Sequence, residues 1–238
     1  MNNIQNETLA SIVKQNHQTV KVLEKYSLDF CCKGKRTLAE ACIEKQLPVQ
    51  DIATELMNAE RKNEKQMPFN EMNAEQLISY VLIHHHFYVK QSMPTIFFHI
   101  QKVASKHGDR FPYMRNVEQL FAEVMEEMTE HMIKEEKILF PRIKELEANN
   151  NFTNPAFIEN PIHVMEADHE HVGNLLYEIR NLTNNYIPPA GACTTFQVCL
   201  AELKEFEEDL HQHVHMENNI LFPLAQSLAT ASVNMLKV

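Results

Sequence analysis

The chain has 238 residues, with 22 Lys or Arg against 32 Asp or Glu, and so a net charge of −10 with His neutral. That balance excludes a nucleic-acid surface as the main business, because phosphate recognition wants a basic stripe, and it argues equally against docking on anionic lipid. No apolar run approaches the roughly 18–20 residues that span a bilayer. MNNIQNETLA also lacks the basic-then-apolar pattern of an export signal, so a soluble cytoplasmic protein is expected, with its five Cys outside any disulfide framework.

Four Gly, no Trp and 44% apolar residues point to helices. Residues 6–25 read as a helix with Leu9, Ile12, Val13, Val20 and Leu23 inward, followed by a turn, YSLDFCCKGK. Thr37 is placed to cap a short helix through Lys45, Leu47-Pro48 breaks it, and a third helix runs from Val49 to about Lys62. A three-helix unit over 1–62 is therefore expected, then a polar linker at 63–73 that carries Pro68. Four amphipathic stretches follow, near 74–106, 114–147, 161–184 and 194–230, joined by loops rich in Gly, Pro and Asn. No strand alternation survives, so the fold class is all-α: an up-down four-helix bundle over 74–230 behind a small N-terminal helical domain.

Thirteen His is a high count. Residues 131–141, HMIKEEKILFP, and residues 213–223, HVHMENNILFP, share a His, a Glu four later, and Ile-Leu-Phe-Pro. Positions three and four apart face a bundle core. On that spacing Val117, Leu120, Val124, Met128, His131, Glu135 and Ile138 form one inward stripe, and Cys199, Leu203, Phe206, Leu210, His213, Glu217, Ile220 and Leu224 another. An ionised Glu buried there is very costly without a metal or a proton to compensate it. The third stretch offers His169 on its stripe, and the first offers His85 or His86. Taking His86, the pattern "His, then about 45 residues on, His-x3-Glu" occurs twice, which suggests two helix pairs related by approximate two-fold symmetry. Four imidazoles and two carboxylates, without thiolate, are too many ligands for one tetrahedral zinc. They suit two metals bridged by both carboxylates, with non-haem iron as first choice and manganese next. The repeated Ile-Leu-Phe-Pro reads as core packing plus helix termination, His211 and His215 as solvated, and Glu127, one turn before His131, as a hydrogen-bond partner, a channel residue or an ordinary half-buried Glu.

Cys31-Cys32 is the second feature. Lys33, Lys35 and Arg36 beside it favour thiolate, so lowered thiol pKa values are expected, with metal binding, reaction with nitric oxide or disulfide exchange as the chemistry. Cys42, Cys193 and Cys199 read as packing or loop cysteines.

Taken together, YSLDFCCKGKRTLAEAC, HMIKEEKILFP, VMEADHEH and HVHMENNILFP resemble the Ric family, di-iron proteins for repair of iron–sulfur clusters, over nearly the whole chain. The resemblance implies a short Cys-Cys domain followed by a haemerythrin-like domain. It places the metal ligands at His86, His131, Glu135, His169, His213 and Glu217, and decides for His86 over His85. It gives His86 and His131 to one iron, His169 and His213 to the other, and makes Glu135 and Glu217 bridges, with an oxo or hydroxo bridge alongside. HHHFYV departs from the family's usual Tyr-His on the first helix. The implied role is restoring iron–sulfur proteins after nitrosative or oxidative stress, in the cytoplasm, as a homodimer, by iron donation or by binding and reducing nitric oxide, with Cys31 and Cys32 in a thiol or nitric oxide role. A haemerythrin-like module for O2 or NO binding, or a redox sensor, is the alternative.

Overall fold

The computed structural model describes residues 4–60, 69–149 and 154–235, and among them the only regular elements are helices. The N-terminal unit holds α1 (Leu9–Gln15), a 3₁₀ turn (His17–Thr19), α2 (Val20–Lys25), α3 (Leu38–Glu44) and α4 (Val49–Glu60). The stretch expected as one helix over 6–25 is broken at Asn16. This residue is extended, and its side chain accepts from the Gln18 N–H instead of continuing the ladder. Thr37 caps α3 as expected: its hydroxyl accepts from the Glu40 N–H while the Glu40 carboxylate accepts from the Thr37 N–H. Most of the segment expected as linker lies outside the described residues. Of its described part, Phe69 is buried, and Asn70 donates to the Lys14 carbonyl at 2.9 Å.

The bundle helices are α5 (residues 74–107), α6 (residues 113–149), α7 (Ala156–Leu182) and α8 (residues 194–235). α6 packs between α5 and α7, and α8 closes the ring against α5 and α7. α7 starts five residues before the expected position because Pro161 does not begin it. The Phe157 carbonyl, four residues back, accepts instead from Arg142 Nη1 at 3.1 Å, so the missing proline N–H leaves no orphan there.

The buried apolar residues fall into two clusters. One joins the N-terminal unit to the half of the bundle that contains Val89, Met128, Val172 and Leu210; the other contains Val81, Leu139, Met165 and Leu221. Between them lies a polar layer.

A buried ionic contact helps fix the N-terminal unit on the bundle. Arg180 of α7 meets Glu207 Oε2 of α8 at 2.8 Å through both Nε and Nη2, and its Nη1 donates to Ser27 Oγ at 2.7 Å. Glu24 of α2 stands 3.6 Å from the same guanidinium and 2.6 Å from His211 Nδ1. His211 and His215, expected to be solvated, therefore face the N-terminal unit: His215 is buried against the edge of Phe30, with ring centroids 5.6 Å apart. Their helix face carries Lys204 and Glu208, which hid the docking surface from a single-helix reading. Removing one partner of a buried pair leaves an uncompensated charge. Arg180→Ala is thus expected to lower unfolding free energy by roughly 3–5 kcal/mol, and Arg180→Met/Glu207→Leu by much less. Urea unfolding of the three proteins checks this.

Candidate metal centre

Three of the four long helices widen where they meet the polar layer. Val81–His86, Glu135–Leu139 and Glu217–Leu221 are π-helical turns, in which the N–H of Phe87, Phe140 and Phe222 reaches the carbonyl five residues back, at Leu82, Glu135 and Glu217. The extra residue changes which side chains face inward. Ile138, expected on the stripe, is 44% exposed, and Leu139 takes its place at 1%. The repeated Pro does not terminate either helix as expected. α6 continues through Pro141 and α8 through Pro223, each of which directly follows the residue that closes a widened turn.

All six expected side chains reach this layer. His86, His131, Glu135, His169, His213 and Glu217 are each 2% exposed or less. They form two overlapping quartets: His86, Glu135, His213 and Glu217; and His131, Glu135, His169 and Glu217. Both carboxylates belong to both quartets. Glu135 Oε2 lies 3.2 Å from the Nε2 of both His86 and His131, while Glu217 lies 3.1 Å from His169 Nε2 and 3.0 Å from His213 Nε2. The imidazoles pair differently from the arrangement the resemblance implied. His131 groups with His169, their Nε2 atoms 3.1 Å apart, and His86 groups with His213, their ring centroids 5.0 Å apart. The helix order explains the exchange: α6 faces α7 and α8 faces α5, so each His-x3-Glu supplies its His to the quartet containing the other copy's single His.

The outer nitrogens are held by residues that sequence reasoning missed. His86 Nδ1 lies 2.8 Å from Glu136 Oε1, which Lys90 also meets at 2.6 Å. His131 Nδ1 lies 3.4 Å from Asp168, which Lys134 meets at 2.6 Å, and His169 Nδ1 lies 2.9 Å from Asn218 Oδ1. Each acceptor is the immediate sequence neighbour of a site residue: Glu136 of Glu135, Asp168 of His169, Asn218 of Glu217. That adjacency was the available signal. By taking an Nδ1–H, each acceptor fixes the tautomer and turns an Nε2 lone pair inward. Glu127, half-buried, makes none of these bonds. Phe140 stacks on His86 at 5.7 Å and Phe222 on His169 at 6.2 Å, so the repeated Phe walls the site. His85 is buried too, but its Nδ1 bonds Asp209 at 3.0 Å and its ring lies flat against His213.

The donor set fits a metal. Among the described residues, His86 Nε2, both oxygens of Glu135 and Glu217 Oε2 find no hydrogen-bond partner of acceptable geometry, although nitrogens and oxygens approach to about 3 Å. Lone pairs aimed at a shared point, rather than at one another, have this appearance, and a cation relieves the repulsion. Burial and the facing Glu217 charge oppose ionisation of Glu135, yet the neighbouring imidazoles hold it below the ordinary carboxylate range, and Glu217 is held well below it. His131 resists charge through burial, but Glu135, Asp168 and Glu217 overcome this and raise its pKa to about 10.

Cys31 and Cys32 lie on the loop between α2 and α3, against α7 and the π turn of α8. The expected lowering of the thiol pKa does not hold for Cys31. Its hydrogen-bonded Cys32 neighbour, its burial and the Asp29 carboxylate at 3.3 Å push it well above the usual thiol value, while Lys33 and Lys35 point to solvent and Arg36 pairs with Glu44. Cys42 and Cys199 are buried, and Cys193 is exposed.

Two family descriptions match the chain: "Hemerythrin HHE cation binding domain" over residues 77–225 and "Domain of Unknown function (DUF542)" over residues 5–60. The iron-sulfur cluster repair protein YtfE of Yersinia pseudotuberculosis serotype IB (strain PB1/+) is 32% identical over 220 residues, covering 92% of this chain and 96% of that protein. The YtfE protein of Yersinia pestis (strain Pestoides F) matches to the same extent. The chain belongs to the YtfE family of iron–sulfur cluster repair proteins. Its bundle is thus a haemerythrin HHE domain, and no helix among the described residues is long and apolar enough to cross a membrane.

Two outcomes follow from the site. Glu136→Ala frees the outer nitrogen of His86 and is expected to weaken metal retention about 10–100-fold, with the bundle still folded; competition against a chelator measures it. A metal needs the Nε2 lone pair of His131, and Glu135, Asp168 and Glu217 raise the pKa of this imidazole to about 10 without metal, so metal uptake is expected to release a proton and affinity to fall as pH is lowered from about 10. Proton release on titrating metal into the stripped protein checks this.

Proposed function

We propose that this chain restores iron–sulfur proteins damaged by nitrosative or oxidative stress, and that it holds two non-haem irons in the six-residue site, bridged by Glu135 and Glu217. The observation that carries this reading is the sharing of both buried carboxylates between two quartets, each completed by two imidazoles. Two adjacent irons supply labile ferrous iron, and a centre able to share the two electrons of nitric oxide reduction.

The protein residues perform distinct tasks. Glu135 and Glu217 bring two negative charges into a water-poor layer and offset the charge of the metals. Glu136, Asp168 and Asn218 orient three of the four imidazoles, while Phe140 and Phe222 exclude water from two of them. His213 Nδ1 is buried and has no such partner among the described residues. A ligand set of mainly neutral imidazoles holds ferrous iron less firmly than thiolates do, as iron donation requires. The setting is the cytoplasm, the partners are damaged iron–sulfur proteins, and the assembly is a homodimer. A haemerythrin-like oxygen carrier would want a further inward nitrogen. His85, the nearest candidate, lies flat against His213 with its Nδ1 bonded to Asp209.

The iron-loaded protein is expected to carry about two irons per chain, lost in Glu135→Ala/Glu217→Ala, and to restore an apo cluster protein faster than an equal amount of free ferrous iron. Equal rates with free iron would sink the donor reading.

A further inference from the structure

A third group of metal-ligating atoms lies outside the bundle site. Ligand atoms of Asp29, Cys31 and Cys32 stand within 4.8 Å of one another. The two sulfurs are 3.9 Å apart, and Cys31 Sγ is 3.3 Å from Asp29 Oδ1. At a metal–sulfur distance of about 2.3 Å, two thiolates at a tetrahedral angle are separated by about 3.8 Å. The pair already has the bite of a metal chelate. It is poorly suited to a disulfide, because adjacent Cα atoms stand only about 3.8 Å apart, below the usual disulfide range of about 4.4–6.8 Å.

The loop is built to hold this bite. Asp29 Oδ1 accepts from the backbone N–H groups of Cys31, Cys32 and Lys33 at 3.0–3.2 Å, and none of these bonds uses Oδ2. Gly34 then passes so close to the Phe30 carbonyl that a Cβ would stand 2.2 Å from the oxygen. The site opens on both sides. A cavity of about 230 Å³ touches Cys31, Cys32, Lys33, Glu170, Asn218 and Asn219. Another, of about 290 Å³, touches both thiols, His169 and Gly173. Gly173 is one turn beyond His169 on α7, and a Cβ there would stand 3.9 Å from Cys32 Sγ. The π turn of α8 joins the two centres: Glu217 is in both quartets, Asn218 holds His169, and Asn219 donates to the carbonyls of Phe30 and Cys31 at 3.3 and 3.2 Å.

We propose that Asp29, Cys31 and Cys32 form a second metal site, a thiolate–carboxylate staging post through which ferrous iron passes between the His169 edge of the bundle site and the outside. The inference rests on the donor reading above and names the route. Binding is ligand exchange without redox: the ferrous ion replaces the two thiol protons, which leave to solvent, and it stays divalent.

The test uses full-length protein with its bundle iron in place, without oxygen, and cobalt(II) as the probe. One additional cobalt per chain is expected, with a sulfur-to-cobalt charge-transfer band in the near ultraviolet. The band should be absent in Cys31→Ser and Cys32→Ser. It should require at least tenfold more cobalt in Asp29→Asn, which keeps an Oδ1 acceptor for the loop but loses the charge. Cys32→Ser, loaded to the same iron content, should surrender iron to an external ferrous chelator at least fivefold more slowly. A missing band in the wild-type protein, or a band that survives both serine variants, overturns the site. Unchanged release in Cys32→Ser overturns the route. A cobalt band from protein whose bundle takes up no iron supports the thiol site while overturning the donor reading.

Discussion

Two carboxylates sit at zero exposure in the middle of an apolar bundle, and the rest of the molecule is arranged around that cost. Among the described residues, neither Glu135 nor Glu217 reaches a Lys or Arg; their neighbours are imidazoles. Three of the four imidazoles, His86, His131 and His169, have their outer nitrogens tied to side chains at the rim of the layer, and for His86 and His131 Lys90 and Lys134 bring in positive charge there. Charge is thus handed outward in steps, from carboxylate to imidazole to acceptor to lysine. The division of the apolar core into two clusters follows from the same layer.

Much of this was legible in the sequence, for a physical reason. A polar residue on an apolar stripe is conspicuous when the stripe has a fixed period, and His131, Glu135, His213 and Glu217 stand out against their Met, Val and Leu neighbours. What was not legible begins where the period changes. The π turn at Glu135 shifts the inward face by one position, so an unbroken period puts Ile138 in the core where Leu139 stands. The grouping of the imidazoles was hidden too, because it depends on which helices are neighbours. His211 and His215 read as solvated on their own helix because their partners, Glu24 and Phe30, lie more than 180 residues earlier and reach them only through docking of the N-terminal unit.

The two copies of the repeat agree where they face the metal layer and differ where they face their surroundings. Glu136 and Asn218 do equivalent work on His86 and His169. The next residues diverge: Lys137 is exposed, whereas Asn219 clasps the loop carrying the thiols. One helix pair therefore meets solvent at the position where the other meets the N-terminal unit, and the near-symmetric bundle acquires a front and a back.

The widened turns also differ in how freely they can move. A π turn is a dislocation in the helical ladder, and such a defect can migrate along a regular helix by exchanging one hydrogen bond at a time. In α6 and α8 it is pinned: shifting it away from Pro141 or Pro223 would drive the proline ring back into the carbonyl four residues earlier. Both glutamates are thereby locked in rotational phase. In α5 the first proline after the defect is Pro94, well beyond the turn. The three consecutive histidines, His84, His85 and His86, occupy the one dislocation among the described residues that no adjacent proline pins.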